Sequence, residues 1–378
     1  MAKKKTNTKS KKQKMSTIEK VLLTINIFIV ILYILSAYIG YANPNSTSYL
    51  SLLSMGYPFF LAALPATLLF WLFFKRIYLS ITLLAIVATI PQIVTFIPFS
   101  FSDFDKEDYD ERFILMTYNI QGFARNNTTE SEEHPTINDI LKYHPDFVCL
   151  QECNGDKVAG RKEMTNDQII ALRSSYPYYY ESPNMKLTGF YSKKPTDVVL
   201  SRFIAPYFNV DVYKTTALGK DVFILNTHLE SIGLTRSDKD LYMDLTDKDN
   251  NNKTLRGIRS QLLSKLVAAS KKRAEQADLI RQISDSICTN NPGALFFVCG
   301  DFNDPPYTYS YLKILGDLTD VYREEGSGYA YTYNQNRFYF RIDNLFYKSE
   351  SVDAKAVVIG KSKASDHHLM TAIFKNKE

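Results

Sequence analysis

The sequence predicts an α+β fold, a two-sheet β-sandwich with flanking helices, carried behind three transmembrane helices. Three observations lead there. Of the 378 residues, the first hundred hold two long stretches without a charged side chain, Val21 to Phe74 and Ile77 to Ser102. Beyond them, short apolar runs rich in Val, Ile and Phe dominate, with helical stretches between, an order that suits two packed sheets better than strict βαβ alternation. Polar residues recur where those runs end.

The chain begins with a tail, residues 1–20, whose first fourteen residues contain seven lysines among Ser, Thr and Gln. Such a composition has nothing to bury and reads as disordered. Val21 to Tyr41 would span roughly 30 Å as a helix, the thickness of a hydrocarbon core. Asn43-Pro44-Asn45-Ser46-Thr47-Ser48 is a polar turn, after which about Leu50 to Phe74 makes a second span and about Ile77 to Ile97 a third. Pro58, Pro65, Pro91 and Pro98 would kink or end these helices. The competing reading is a cleaved signal peptide with a buried helical hairpin, but the first run is long for a signal and two more follow it. Residues 21–100 are therefore expected to be a three-span anchor and 101–378 a separate folded domain. The tail and Lys75-Arg76 should face the cytoplasm, which delivers residue 101 to the opposite, extracytoplasmic side, where the acidic segment Asp103 to Glu111 begins.

Charge follows the same division. Residues 1–100 carry nine lysines and Arg76 against Glu19, a net +9; the whole chain is +5, so residues 101–378 carry about −4. The basic sequence pI of 8.7 thus belongs to the anchor and argues against a nucleic-acid patch on the C-terminal domain. Cys149, Cys153, Cys288 and Cys299 are too few and too embedded in apolar runs for a disulfide framework, and no second Cys or His pair at metal spacing accompanies them.

In the C-terminal domain, Arg112 to Asn119 reads as a strand ending in an amide, and Asp146 to Gln151 as a strand ending in Glu152. Helix is expected at Ile137 to Tyr143 and Asp167 to Leu172, strand at Tyr178 to Tyr180, Gly189 to Ser192, Val198 to Phe203 and Phe208 to Tyr213. Asp221 to Asn226 runs into Thr227-His228. A mobile loop is expected over Asp238 to Lys253, then a long helix from Arg256 to Ser286 whose basic residues read as a solvated face. Ala294 to Cys299 is an apolar strand that delivers Gly300-Asp301-Phe302-Asn303, and Pro305-Pro306 stops it. Helix follows at Thr308 to Leu315. Strands are expected at Arg337 to Ile342, at Asp343 to Tyr347 and at Leu369 to Phe374 after Ser365-Asp366-His367.

Asn119, Glu152, His228, Asp301, Asn303, Asp343, Asp366 and His367 all lie at or beside strand ends, too many for independent turns. Carboxylate and amide oxygens suit a hard cation such as Mg²⁺, and histidine beside aspartate suits proton handling or a charged phosphoryl oxygen. The ordered series Tyr118-Asn119-Ile120, Leu150-Gln151-Glu152, Asn226-Thr227-His228-Leu229, Gly300-Asp301-Phe302-Asn303, Arg341-Ile342-Asp343 and Ser365-Asp366-His367 resembles the endonuclease/exonuclease/phosphatase superfamily, DNase I-like phosphohydrolases, over about Arg112 to Phe374. The resemblance implies the two-sheet sandwich with its site at one edge, and hydrolysis of a phosphate ester with Mg²⁺, or Mn²⁺ in its place. It implies that Glu152 is the main metal ligand, supported by Asn119 and Asp366. It further implies that Asp301 orients or deprotonates the attacking water, that Asn303 and His228 hold phosphoryl oxygens, and that His367, paired with Asp343, stabilises the transition state or moves a proton. Gln121 departs from an acid that some relatives carry there, which puts a second metal contact in doubt. Arg273 and Gln276 resemble a structural helical pair of the family. His134 and His144 read as solvated, Asp304 as a turn residue, and His368 as pointing away from the site.

The function expected is a membrane-anchored, metal-dependent phosphodiesterase or phosphatase facing outward, with nucleic acid, phospholipid and inositol phosphate all open as substrates and membrane lipid as the partner of the spans. The alternative is a catalytically silent binding or scaffolding module on the same anchor. A transporter would need ionisable residues within the spans, and there are none.

Overall fold

The computed structural model describes residues 15–102, 111–123, 134–153, 166–181, 187–205, 208–232, 252–335, 338–348, 350 and 352–377. The polybasic tail before Met15, residues 103–110 of the acidic segment and most of the expected loop at 238–251 lie outside them.

The N-terminal module consists of helices α1 (Thr17–Tyr38), α2 (Tyr57–Phe74), α3 (Leu79–Ala88) and α4 (Ile90–Phe96). Ser16 caps α1 through the Glu19 amide, and the helix continues as a 3₁₀ turn to Tyr41, giving a predominantly apolar span of 25 residues, long enough to cross a membrane. α2 is also long enough, at 18 residues. It starts later than Leu50 because single turns at Pro44–Thr47 and Leu52–Met55 precede it and the chain breaks at Gly56. The expected third span is not one straight helix. Its halves, Arg76–Ala88 and Ile90–Phe96, meet at a 66° bend at Thr89, next to Pro91, whose ring removes a helix donor. Only 28% and 17% of the apolar windows of the first two helices are buried, so their side chains point mostly outward.

The C-terminal domain is two six-stranded sheets. One runs β11 (Val352–Ile359), β12 (Met370–Asn376), β1 (Arg112–Asn119), β2 (Phe147–Gln151), β4 (Thr188–Ser192), β3 (Tyr178–Glu181); the other runs β5 (Asp197–Ala205), β6 (Phe208–Ala217), β7 (Lys220–His228), β8 (Leu295–Asp301), β10 (Asp343–Tyr347), β9 (Thr319–Asp320). Each sheet has one parallel pair at its centre, β1 with β2 and β7 with β8, and every other pairing is antiparallel. Phe113, Phe147, Phe190, Tyr213, Phe297 and Phe374 interlock between the sheets with Cys149 and Cys299, all buried. The outer faces are covered by α5 (Pro135–Tyr143) and α6 (Asn166–Ser175) on the first sheet, and by α7 (Asn252–Asn290) and α8 (Tyr309–Leu315) on the second. The result is a helix–sheet–sheet–helix stack, the sandwich that the strand-rich order predicts.

Two elements differ from the expectation. β11 was not foreseen, because Val352–Ile359 mixes Asp353 and Lys355 into its apolar run; alternate residues are buried, as one covered face requires. Arg337 to Ile342 is not a strand over its described part, 338–342, which is irregular and bridged only at Phe340.

Candidate active site

Topology explains why residues scattered over the chain meet. In a parallel pair both strands finish at the same edge, so Asn119 ends β1 beside Gln151 at the end of β2, and His228 ends β7 beside Asp301 at the end of β8. Antiparallel neighbours start where those finish. Asp343, the first residue of β10, pairs in register with Asp301, and His367 precedes β12, the antiparallel partner of β1. One edge of the sandwich therefore collects six polar side chains.

The turns leaving these strands are tight. Gln121, Glu152 and Asn303 have φ of +48°, +52° and +52°, a left-handed conformation that costs about 1–2 kcal/mol for residues with a Cβ. Hydrogen bonds hold them there: the Gln121 amide donates to Asn119 Oδ1 at 3.0 Å, Gly122 to the Glu152 carbonyl at 2.8 Å, and the Asn303 amide to Asp301 Oδ1 at 2.8 Å.

Asn119 is the hub. Its Nδ2 donates to Glu152 Oε1 at 3.2 Å and to Asp301 Oδ2 at 3.0 Å. His228 Nε2 stands 3.6 Å from each of the same two carboxylates. On the other side His367 Nδ1 pairs with Asp343 Oδ2 at 2.8 Å, leaving Nε2 3.8 Å from Asp301 Oδ2. Two overlapping groups, Glu152–His228–Asp301 and Asp301–Asp343–His367, have donor atoms close enough to share a cation.

Burial and charge set the protonation of these groups. Burial works to raise the Glu152 carboxyl, but the hydrogen bond and charge of His228, the charge of His367 and the Asn119 amide together bring it down to about 2. Burial first, then the Asp343 charge, raise the Asp301 carboxyl above the usual range against the pull of His367 and His228. Burial alone would lower the His367 imidazole, yet Asp343 and then Asp301 raise it to about 10. Three neighbours thus differ in role: an ionised, half-exposed carboxylate, a buried carboxyl within reach of a proton, and a charged imidazole. A hard divalent cation fits this donor set at Glu152, the half-exposed carboxylate held ionised, with Asp301 in the same cation-sized group.

Two residues read as part of the site stand differently. Asp366 joins neither cation-sized group; it is half-buried in a loop tied to β1 by the Ser365 hydroxyl, which donates to the Asn119 carbonyl at 2.8 Å. Asn303 reaches the edge, but its Nδ2 donates to the Leu229 carbonyl at 2.9 Å. His134 is not solvated: it is buried, with its backbone amide bonded to Gln168 Oε1. Asp304 is more than a turn residue, since its Oδ1 meets the fully buried Arg273 at 2.8 Å and its Oδ2 accepts from Ser310. Arg273 also donates to the Glu230 carbonyl, and Gln276 accepts from the Glu230 amide, so α7 grips the loops after β7 and β8.

Several supporting residues were missed from sequence. Under the site, Gln151 Nε2 donates to Asn226 Oδ1 at 2.7 Å, and Asn226 Nδ2 donates to the carbonyls of Leu150 and Gly189, pinning one sheet to the other. Thr332 Oγ1 accepts from the amides of Ile342 and Asp343 and so aims Asp343. The signal for the first pair was present, as uncharged polar residues inside apolar runs. Nothing marked Thr332. Gly300 has a φ of +144°, and a Cβ there would lie 1.8 Å from the Thr227 carbonyl oxygen, so only glycine lets β7 and β8 close beneath His228 and Asp301.

Comparison with known proteins now has a site to bear on. The endonuclease/exonuclease/phosphatase family matches residues 116–367, which is most of the chain and includes every residue just described at the edge. The chain belongs to that family. A second match, to a domain of unknown function (DUF8431), covers residues 19–96, the N-terminal helical module. Among curated proteins none matches by sequence. Solved structures with a similar fold include truncated TDP2 of Caenorhabditis elegans (TM-score 0.48, 21% identity, 70% of this chain and 97% of that one). The human Nocturnin catalytic domain with a bound sulfate is similar at TM-score 0.47 and 16% identity, over 71% of this chain and 94% of that one. An endonuclease/exonuclease/phosphatase family protein of Bacteroides thetaiotaomicron is similar at TM-score 0.44 and 17% identity, over 70% and 98%. As a member of the endonuclease/exonuclease/phosphatase family, the chain is a hydrolase of the metal-dependent phosphoesterase kind.

Proposed function

We propose that the protein is a membrane-anchored hydrolase of a phosphate ester, dependent on Mg²⁺ or Mn²⁺, whose residues 101–378 work on the side of the membrane opposite its N-terminus. The observation that carries this reading is the convergence of Asn119, Glu152, His228, Asp301, Asp343 and His367 at one edge of the sandwich. Glu152 would hold the cation, with Asn119 fixing its carboxylate; Asp366, which joins neither cation-sized group, would support the site from the neighbouring loop. When bound, the cation neutralises phosphoryl charge and supports attack by water. Asp301, buried and raised, accepts the proton of the attacking water. His228 donates to a phosphoryl oxygen, and Asn303 does so with the amide hydrogen not spent on Leu229. His367, kept charged by Asp343, faces the negative charge that grows in the transition state and can protonate the leaving oxygen.

The anchor reading rests on the apolar, outward-facing helices and on the ends of the bundle. At one end Glu19 pairs with Lys75 beside Arg76. The catalytic domain packs against the other end, where the Phe59 ring lies 6.1 Å from Phe340 and Arg341 reaches the Thr95 carbonyl. Basic residues favour the cytoplasmic side, which assigns the site to the outer one.

The test is hydrolysis by the full chain in nanodiscs against single-stranded DNA, RNA, phospholipid and inositol phosphate, with Glu152→Gln, His367→Ala and chelator as controls. Cleavage lost in all three controls is the expected result. A folded, metal-replete protein that turns over nothing would instead be the silent binding module.

A further inference from the structure

Between the catalytic edge and the apolar helices lies a patch of exposed aromatic side chains that the hydrolytic reaction does not use. Phe99 and Phe101, just beyond α4, are 79% and 87% exposed, with rings 5.1 Å apart. Tyr329, Tyr331 and Tyr339 are exposed on the stretch 326–340, whose described residues are held firmly. At its start the Gly328 amide donates to the Pro98 carbonyl at 2.8 Å and the Ser100 amide to Gly326 at 3.0 Å. At its end Phe340 packs on Phe59, and the Thr332 and Tyr333 amides both donate to the Phe340 carbonyl. The Tyr329 hydroxyl bonds the Tyr339 carbonyl at 2.6 Å.

The stretch is thus fastened to the bundle at both ends, and from there it leads inward to the site. Tyr333 lies 5.2 Å from the ring of the site residue His367, and Tyr331 5.5 Å from the ring of the adjacent His368. The loop after Asp301 is just as close to the bundle: a Cβ on Gly40, beyond α1, would lie 1.9 Å from the Tyr307 carbonyl oxygen. Exposed apolar side chains gathered in this way mark an interaction surface, and tyrosines flanking apolar spans favour the headgroup region of a bilayer. The Phe340–Phe59 contact joins this stretch to α2, where Phe59 is itself 66% exposed.

We propose that this aromatic rim sits in the headgroup region of the membrane that the helices cross, and that the site takes its phosphate ester from a lipid of that membrane, admitted past Tyr331 and Tyr333. The proposal rests on the anchored phosphohydrolase reading above. Hydrolysis there forms a P–O bond from water and breaks the P–O bond to the lipid's alcohol, which leaves with a proton. Aromatic rings can also stack nucleobases, but a nucleic-acid site needs basic residues along the backbone path, and residues 101–378 carry about −4.

The experiment uses the full chain in nanodiscs of phosphatidylethanolamine and phosphatidylglycerol. Trp71 is the only tryptophan, so Trp71→Phe with Tyr339→Trp leaves one reporter on the rim. Quenching at least twofold stronger by lipids brominated near the headgroup than by aqueous acrylamide is expected; the reverse order overturns docking. Separately, Phe101→Ser with Tyr339→Ser should cut hydrolysis of the vesicle lipids at least tenfold and leave that of the soluble diester bis(p-nitrophenyl) phosphate within twofold. Equal loss on both substrates, no loss on either, or hydrolysis of single-stranded DNA or RNA but of neither lipid overturns the proposal and leaves the phosphohydrolase reading standing. A wild-type protein inactive on every substrate defeats that reading and with it the lipid substrate, while the fluorescence arm still decides docking.

Discussion

In the mechanism proposed above, Glu152 and His367 take different parts because their surroundings differ. Glu152 is half-exposed and held ionised, so Glu152→Gln keeps the shape and removes the charge. We expect hydrolysis to fall at least ~100-fold. Mg²⁺ is expected to raise the Tm of the wild type by binding the folded state and to leave that of the variant unchanged, which calorimetry in a metal titration checks. His367 is the converse case. Its pKa is raised from 6.5 to about 10 chiefly by Asp343, so stability from the pair is complete below about pH 6.5 and is lost as the pH climbs through 10. In chelator-treated protein, NMR should find the His367 imidazole still protonated at pH 8, and Asp343→Asn should bring it down. A wild-type imidazole titrating near 6.5 would contradict the pair's role.

Strands and helices act on the site by where they end. Gly300→Ala places a methyl against the Thr227 carbonyl and cannot be absorbed by a rotamer, because the obstacle is backbone. The expected outcome is loss of the folded domain or a separation of β7 from β8, read as weaker amide protection of Thr227 and Gly300 in hydrogen exchange. α7 contributes through one ion pair. Removing Arg273 as Arg273→Met strands Asp304 in a buried place, at a cost of about 3–5 kcal/mol. Chemical denaturation should show that loss. Activity should fall beyond what the loss of folded protein explains, since Arg273 also holds the Glu230 loop after His228.

In the molecule as a whole, the helical bundle is fitted to the catalytic domain rather than hung from it. Tyr307 and Leu312 of the catalytic domain pack in one cluster with Tyr33, Tyr57 and Phe96 of the bundle. Gly40→Val should therefore push the bundle off the Asp304-to-Thr308 loop and lower turnover several-fold, with hydrogen exchange rising at the Tyr307 and Thr308 amides and unchanged in β1 and β2. Orientation has its own readout. Protease added outside sealed vesicles or cells should remove a tag after Glu378 and spare one before Met1; protection of both would reverse the proposed side.

Much of this protein is legible along the chain. The boundary near residue 101 shows in charge and hydropathy, and Asn119, Glu152, His228, Asp301, Asp343 and His367 are marked as polar residues where apolar runs stop. Such features are local, because strand length, helix period and turn chemistry depend on neighbours a few residues away. What local pattern does not carry is which strand lies beside which. The parallel pairing of β1 with β2 and of β7 with β8 brings distant termini to one edge, and their pairing register sets His228 against Asp301 while Asp366 stays outside the cation-sized groups. The same non-local packing buries Arg273 on Asp304 and lays the aromatic stretch between bundle and site. Those outcomes depend on contacts between residues tens to hundreds of positions apart, and they exist only once both sheets have closed on their shared core.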